Sequence, residues 1–345
     1  MNLLEFFKNK TILVCGGTGS IGSEIVSQLL KYEPKTIRIL SNSENELWES
    51  SLRYEKKNEK LRFLLGDIRN FERIKRAVKD VDYVFNAAAI KHVPFSEYNP
   101  MEALNVNING LENIIEACFI NNVKNLLHIS TDKAVSPTSV MGATKMLGER
   151  LCISRELAKG SNITIISCVR FGNVLGSRGS IIPLIEKQIK NGNNVTLTDD
   201  KMTRYFMSIS EAGRLVLESM ILSQGGEIFV LKMPLLRIKD LLEILIEKYA
   251  PKYGKAPSDI NIKIIGSRPG EKLDEKLISP IELEFCYETD EMFVVFPPNH
   301  DKYTILEKRD LSKYRKVDKD KYSPLNQRKI TKDKIKEMLD NLNLT

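Results

Sequence analysis

The sequence predicts an α/β fold, a doubly wound parallel sheet with a smaller C-terminal lobe. Two observations support this. Short apolar runs alternate with amphipathic helical stretches through the first half. These runs are apolar throughout instead of at every second residue, as strands buried on both faces require. A glycine-rich turn, "GGTGSIG", directly follows the first run, which is the Rossmann-type arrangement, and right-handed crossovers then fix the winding.

The elements follow in order. "MNLLEFFKNK" is too short and too acidic for a signal peptide and reads as an amphipathic helix whose Leu3, Leu4, Phe6 and Phe7 are expected to dock on the domain, the alternative being contact with a membrane. "TILVCG" is the first strand and "SIGSEIVSQLLKYE" the first crossover helix. "TIRILS" follows, then a polar helix around Glu44 to Glu59. Strand "LRFLLGD", helix "NFERIKRAVKD" and strand "VDYVFNAA" come next. One long helix through "MEALNVNINGLENIIEACFINN" leads to strand "VKNLLHIS", helix "MGATKMLGERLCISRELAK" and strand "NITIISCVRFG". Past Asn173 the rhythm loosens. A helix is expected near Ser210 to Leu222 and another in "RIKDLLEILIEKYA", while "GEIFVL" and "NIKIIG" read as isolated strands. Residues 1–180 are therefore expected to form a dinucleotide-binding domain with the catalytic loop. Residues 181–345 are expected to form mainly a substrate lobe, with some segments returning to the main sheet.

Composition narrows the class. The 345 residues are 42% apolar and 28% charged, which suits a large core in a soluble, cytoplasmic protein. No run approaches the ~20 apolar residues that cross a bilayer, so no transmembrane segment is expected. Five scattered cysteines lack metal-ligand spacing and fit reduced core thiols, so no metal is expected. Net charge is +7, and residues 301–345 hold 13 Lys/Arg against 8 Asp/Glu. The signs alternate there without interleaved aromatics, which favours a solvated helical face over a nucleic-acid surface. An anionic substrate suits the mild positive bias equally.

Gly16, Gly19 and Gly22 form GxxGxxG between strand and helix, with Ser20 and Ile21 opening the helix. Glycine permits the tight turn and lets N–H groups meet a pyrophosphate at the helix N-terminus. Asp67, followed by Ile68, is placed either to accept from the adenine amino group or to cap the next helix. Asn86 and the small Ala87, Ala88 and Ala89 let a dinucleotide approach the fourth strand. At the tip of the second strand stand Ser41, Asn42 and Ser43, with Glu44 beginning the helix. No acid is at that tip to repel a 2′-phosphate, and no arginine to clamp one. NADP is the expected cofactor, with NAD also accommodated.

The segment "ISTDKAVSPTSVMGATK" carries the chemistry. Met141 and Lys145 are four apart on a helix and share a face toward the sheet. Ordinary short-chain dehydrogenases have tyrosine at the first of these positions, and a thioether cannot carry a proton. Asp132 and Lys133 supply proton carriers if the reaction includes an elimination, where one group takes a proton from carbon and another protonates the leaving hydroxyl. Lysine is a base only as the free amine, which positive neighbours, Lys145 and an oxidised nicotinamide, favour. Both side chains reach one substrate only if the strand ends near Ser130 and the chain turns; the alternative is a surface turn. Thr131, Asp132 or a relayed water are candidates to accept a hydroxyl proton. His128, within an apolar strand, is expected to be structural, and Asn107 to brace the catalytic loop. Phe206 and Tyr205 of "MTRYFMS" are expected in the core.

These residues resemble a known family. "STDKAVSPTSVMGATK" is similar to the active-site segment of the inverting UDP-N-acetylglucosamine 4,6-dehydratases, extended short-chain dehydrogenases of polysaccharide biosynthesis. "GGTGSIGSE", "NAAAIKHVP", "FGNVLGSRGSIIPL", "MTRYFMSISEA", "SRPGEKLDEKLIS" and "YSPLNQRKIT" extend the resemblance over nearly the whole chain. It implies that hydride leaves C4 of UDP-N-acetylglucosamine for the cofactor and later returns at C6. Lys133 removes the C5 proton, Asp132 protonates the departing C6 hydroxyl, and C5 is reprotonated from the opposite face. Lys145 would hold the nicotinamide ribose. The resemblance also points to Asn173, Arg204, Arg268 and Glu271 for UDP, with Lys91 and His92 near the sugar. Taken alone, "RPGEK" is a turn with exposed charges. A homo-oligomer is expected, with helical faces near residues 96–121 and 139–158 as pairing surfaces. Rival readings are a UDP-hexose 4-epimerase, a bifunctional dehydratase and epimerase, and a catalytically dead nucleotide-binding regulator.

Overall fold

The computed structural model describes residues 2–54, 59–192, 194–267, 270–297, 309–318 and 330–340. Helix α1 (Leu3–Phe7) precedes β1 (Thr11–Cys15), α2 (Ser20–Leu29), β2 (Thr36–Ser41), α3 (Glu44–Arg53), β3 (Leu61–Leu65), α4 (Phe71–Val78) and β4 (Tyr83–Asn86). Then come α5 (Val93–Tyr98), α6 (Pro100–Leu104), α7 (Gly110–Ile120), β5 (Asn125–Ile129), α8 (Val140–Ala158), β6 (Ile165–Arg170) and β7 (Asn173–Leu175). Among the described residues, one ten-stranded sheet runs β15-β13-β14-β10-β6-β5-β4-β1-β2-β3, where β10 is Ile228–Leu231, β13 Cys286–Glu288, β14 Met292–Val295 and β15 Arg315–Lys316. From β10 to β3 every pairing is parallel, and β14, β13 and β15 add an antiparallel edge. The order reverses between β1 and β4, and ligands of such sheets bind at the carboxyl ends there.

The expected doubly wound sheet is present, and its strands are apolar because both faces are covered. β1, β4 and β5 are buried at every residue. Helix α1 docks on the domain through Phe7, which is fully buried, Leu3, and Phe6, which stacks on Tyr83 at 4.5 Å, while Leu4 stays exposed. All five cysteines are free and buried. No described helix is long and apolar enough to cross a membrane.

Three readings of local structure change. "GEIFVL" is not isolated: β10 joins the main sheet beside β6. In "NIKIIG", β12 (Asn261–Ile264) pairs in parallel with β8 (Asn194–Leu197). Both pairings are non-local, so no local sequence signal marks them. The helix expected to run unbroken through "MEALNVNINGLENIIEACF" is α6 and α7 joined by one π-helical stretch, Asn105–Asn109. Such a bulge turns Asn107 inward, where its amide is fully used, accepting from Ile90 N at 2.8 Å and donating to Ile90 O and Thr144 Oγ1 at 3.1 and 3.0 Å. Asn107 therefore braces the segment after β4 and α8 instead of the 131–139 loop.

A second apolar cluster gathers Ile182, Ile185 and Ile189 of α9 (Ile181–Asn191), Phe206 of β9 (Thr203–Ser208), and Leu241, Leu242 and Leu245 of α11 (Ile238–Tyr249). Strand β9 lies between β7 and β11 (Leu235–Arg237), so it links this lobe to the carboxyl end of β6. Tyr205 faces the main core and Phe206 the lobe, the alternation expected of a strand sandwiched between two cores. Helix α10 (Ile209–Leu222) then crosses back to pack on α2.

Candidate active site

The glycine-rich turn fits a dinucleotide. Gly16 has φ +71°, and a Cβ there would stand 2.7 Å from Ala88 N, so the turn and the fourth strand tip touch backbone to backbone. A Cβ on Gly22 would stand 2.2 Å from Gly16 O, which is how α2 reaches the turn so closely. Gly19 caps α2 without any side-chain bond, leaving first-turn N–H groups for an anion. Ile21, Ala87 and Ala88 pack against the main core, Ile68 is buried in it, and Ala89 is half-buried.

Asp67 is held by Arg69, accepting its backbone N at 2.8 Å and its Nη2 at 2.7 Å. Those bonds keep its carboxyl below the usual range, and Asn42 also donates to it. Asn70, not Asp67, caps α4. Ser41 Oγ lies 2.9 Å from Thr18 Oγ1, and Ser20 Oγ accepts from Arg178 N at 2.9 Å.

Strand β5 ends at Ile129, and Asp132–Ala134 form one 3-10 turn, so the geometric condition on Asp132 and Lys133 is met. Lys133 Nζ donates to Asp132 Oδ1 at 3.0 Å and to Asn173 Oδ1 at 3.3 Å. Thr131 Oγ1 donates to the same Asp132 Oδ1 at 2.9 Å. Asp132 is fully buried, and its Oδ2 has no hydrogen-bond partner among the described residues. A buried carboxylate oxygen left unsatisfied costs free energy unless something else meets it. The turn is fixed from below, where Ser130 Oγ donates to Glu149 Oε1 at 2.6 Å and Arg170 grips Glu149 and Glu282, both by charge-assisted bonds.

Lys145 and Met141 are both buried. Lys145 Nζ donates to Ile129 O at 2.6 Å, and His128 Nε2 is 3.4 Å away. Burial draws the lysine down to about 8, against the opposite pull of Cys168, Glu149 and Cys152. His128 is held well below its usual pKa by burial and then by Lys145, so it is neutral. Asn86 Oδ1 accepts from Ala88 N at 3.2 Å, which turns its amide nitrogen toward His128 Nδ1 at 3.1 Å. His128 is thus structural, as expected, but it also borders the lysine.

Other expected ligands divide. Lys91 Nζ donates to Arg178 O at 2.7 Å, and burial lowers its pKa. His92 opens α5 and sits against Gly179. Arg204 is buried, its guanidinium donating to the carbonyls of Thr203, Leu273 and Lys272, with Glu271 at 3.7 Å. Here it braces the 271–275 segment. Lys272 Nζ reaches Val135 O at 2.7 Å and Thr138 Oγ1 reaches Gly270 O at 2.8 Å, so this segment lies over the 131–139 loop. Arg268 lies outside the described residues. Sequence reasoning missed Thr18, Glu46, Arg178 and Lys272, whose roles depend on contacts across the fold. Tyr205 is buried with its phenol unpartnered among the described residues; burial, and then Asp132 and Asp274, push it up to about 12.

Residues 12–297 match the family described as polysaccharide biosynthesis protein. The chain belongs to this family. It is 57% identical over 296 residues, 86% of this chain and 88% of the relative, to a Methanocaldococcus jannaschii protein named uncharacterized membrane protein MJ1061. It is 40% identical over 84% of both chains to an inverting UDP-N-acetylglucosamine 4,6-dehydratase of Campylobacter jejuni. It is also 36% identical to a UDP-glucose 4-epimerase of Rickettsia canadensis, over 98% of this chain and 97% of the other. Among solved structures, Pen from Bacillus thuringiensis superposes with a TM-score of 0.90 at 41% identity, covering 99% of this chain and 100% of that one.

Proposed function

We propose that this protein is a nicotinamide-dependent UDP-N-acetylglucosamine 4,6-dehydratase that inverts C5. Its product would be a UDP-2-acetamido-2,6-dideoxy-4-keto-L-hexose for surface glycan synthesis. The observation that carries the reading is the Asp132–Lys133 pair, turned together at the carboxyl end of β5 beside Asn173. The 40% identity to the Campylobacter dehydratase supports it independently.

A nicotinamide held by the Gly16–Gly22 turn and Lys145 would supply the hydride chemistry, accepting from C4 and giving back at C6. This chain's residues move the protons. Met141 offers none, so the C4 hydroxyl proton passes through Thr131 to the Asp132 carboxylate, along the 2.9 Å bond between them. The 4-keto group acidifies C5, and Lys133 as free amine takes that proton. Asp132 then gives its proton to the C6 hydroxyl, which leaves as water. Asp132 ends as carboxylate and Lys133 as ammonium, an ion pair at 3.0 Å. Hydride addition at C6 leaves an enolate that takes a proton from water at C5, on the face opposite Lys133, and Lys133 releases its own proton to solvent. Transition-state proton transfers by such positioned groups contribute typically 10²- to 10⁴-fold each. Lys145 orients the nicotinamide ribose. Lys91 and His92 meet the sugar, and Asn173 and Glu271 the UDP, with Arg204 holding the 271–275 segment in place. The enzyme would work in the cytoplasm as a homo-oligomer, pairing through α5, α6 and α8, where Phe95, Tyr98, Met101 and Leu147 are exposed.

The second reading is a 4-epimerase, favoured by the Rickettsia relative. Incubation with UDP-N-acetylglucosamine separates the two. Loss of one water, with an inverted C5 by NMR, supports the dehydratase. An isobaric C4 epimer supports the rival, and no turnover counts against both.

A further inference from the structure

The tip of β2 carries no acid in sequence order, yet folding places one there. Glu46 lies in the first turn of α3, three residues after its N-cap Ser43. Its carboxylate turns back over the strand tip, and Oε2 accepts from Thr18 Oγ1 at 2.6 Å. That hydroxyl also lies 2.9 Å from Ser41 Oγ, the last residue of β2. Thr18 belongs to the glycine-rich turn. A carboxylate therefore stands where the turn meets the second strand, the position from which a dinucleotide's adenosine ribose is read in sheets of this kind.

The cation beside this carboxylate is already engaged. Arg178 Nη1 pairs with Glu46 Oε1 at 2.7 Å, and Nη2 donates to Thr18 O at 2.7 Å. Its backbone N donates to Ser20 Oγ at 2.9 Å, and its carbonyl accepts from Lys91. The two side chains are 55% and 36% exposed, so the pair contributes little to folding. Its placement is explained better by what it meets than by what it stabilises.

We propose that Glu46 selects the cofactor, so that this chain takes NAD and rejects NADP. The inference rests on the nicotinamide-dependent reading above. A ribose 2′-hydroxyl donates to the Glu46 carboxylate, whereas a 2′-phosphate meets like charge there. The Arg178 guanidinium, which could answer that phosphate, is held by the same carboxylate. The sequence-level expectation of NADP counted only residues at the strand tip, and Glu46 reaches the tip from within the helix.

The test is a binding measurement on the full chain stripped of dinucleotide. NAD⁺ and NADP⁺ are titrated separately, by calorimetry and by quenching of the single tryptophan, Trp48, which is exposed on the same helix. NAD⁺ should bind at least about 30-fold more tightly, which is about 2 kcal/mol. Glu46→Gln should weaken NAD⁺, strengthen NADP⁺ and bring the ratio near one or invert it, because Arg178 is released. Arg178→Ala should move the ratio the other way, further toward NAD⁺. NADP⁺ binding as tightly as NAD⁺ to the unaltered chain, or a ratio unchanged in Glu46→Gln, overturns the proposal while leaving the nicotinamide reading intact. Binding of neither dinucleotide overturns both.

Discussion

Lys145 Nζ donates to the carbonyl of Ile129 at 2.6 Å, fastening α8 to the last residue of β5 directly before the catalytic turn. The lysine is buried, and that burial brings its pKa down to about 8. In the unfolded chain it titrates near ~10.4. Between these values the unfolded state binds more protons, so this group makes stability rise with pH, while below about 8 its cost is constant. The shift corresponds to about 3 kcal/mol. Thermal unfolding of the unaltered chain and of Lys145→Met should show a stability difference that changes by that order between pH 7 and 10.5. A constant difference would mean that the lysine titrates normally.

Lys133→Met should leave dinucleotide binding unchanged and reduce dehydration about 10²- to 10⁴-fold. Calorimetry reads the first quantity and product formation the second. Turnover equal to that of the unaltered chain would show that another group takes the C5 proton.

Met141→Tyr should raise turnover by no more than a few-fold. Thr131 already donates to Asp132, which is the proton path proposed above, and Met141 is 4% exposed, so the larger phenol must push its neighbours. Overpacking typically costs about 1–3 kcal/mol, to be seen as a lower melting temperature. A gain of a hundredfold would show that the native site lacks a proton acceptor.

Asn107→Ala removes all three bonds of a fully used buried amide and strands the N–H and C=O of Ile90. Each unsatisfied group costs about 1–3 kcal/mol, so a loss of about 2–6 kcal/mol is expected in denaturant unfolding. A change below about 0.5 kcal/mol would mean that water replaces the amide freely.

What was legible in the sequence was local. The GxxGxxG turn, the apolar strands and the Asp132–Lys133 turn before Pro137 all announce themselves within a few residues. What stayed hidden depends on contacts made across the fold. Glu46 looks like an ordinary helix carboxylate until Thr18 arrives from another loop. Arg204 reads as a free phosphate ligand, yet its guanidinium is occupied by three carbonyls of neighbouring backbone. The π-helical stretch is invisible because Asn105–Asn109 has helical periodicity on either side, and only the partners of Asn107 reveal the extra residue.

The proton path through Asp132 and Lys133 is tested most directly by running the reaction with UDP-N-acetylglucosamine in deuterated water and locating the label by NMR. A 6-deoxy-4-keto product of inverted configuration, with deuterium at C5 and none at C6, is predicted for the unaltered chain and should be lost in Lys133→Met. A product without deuterium at C5, or one labelled equally well by Lys133→Met, would contradict the assignment.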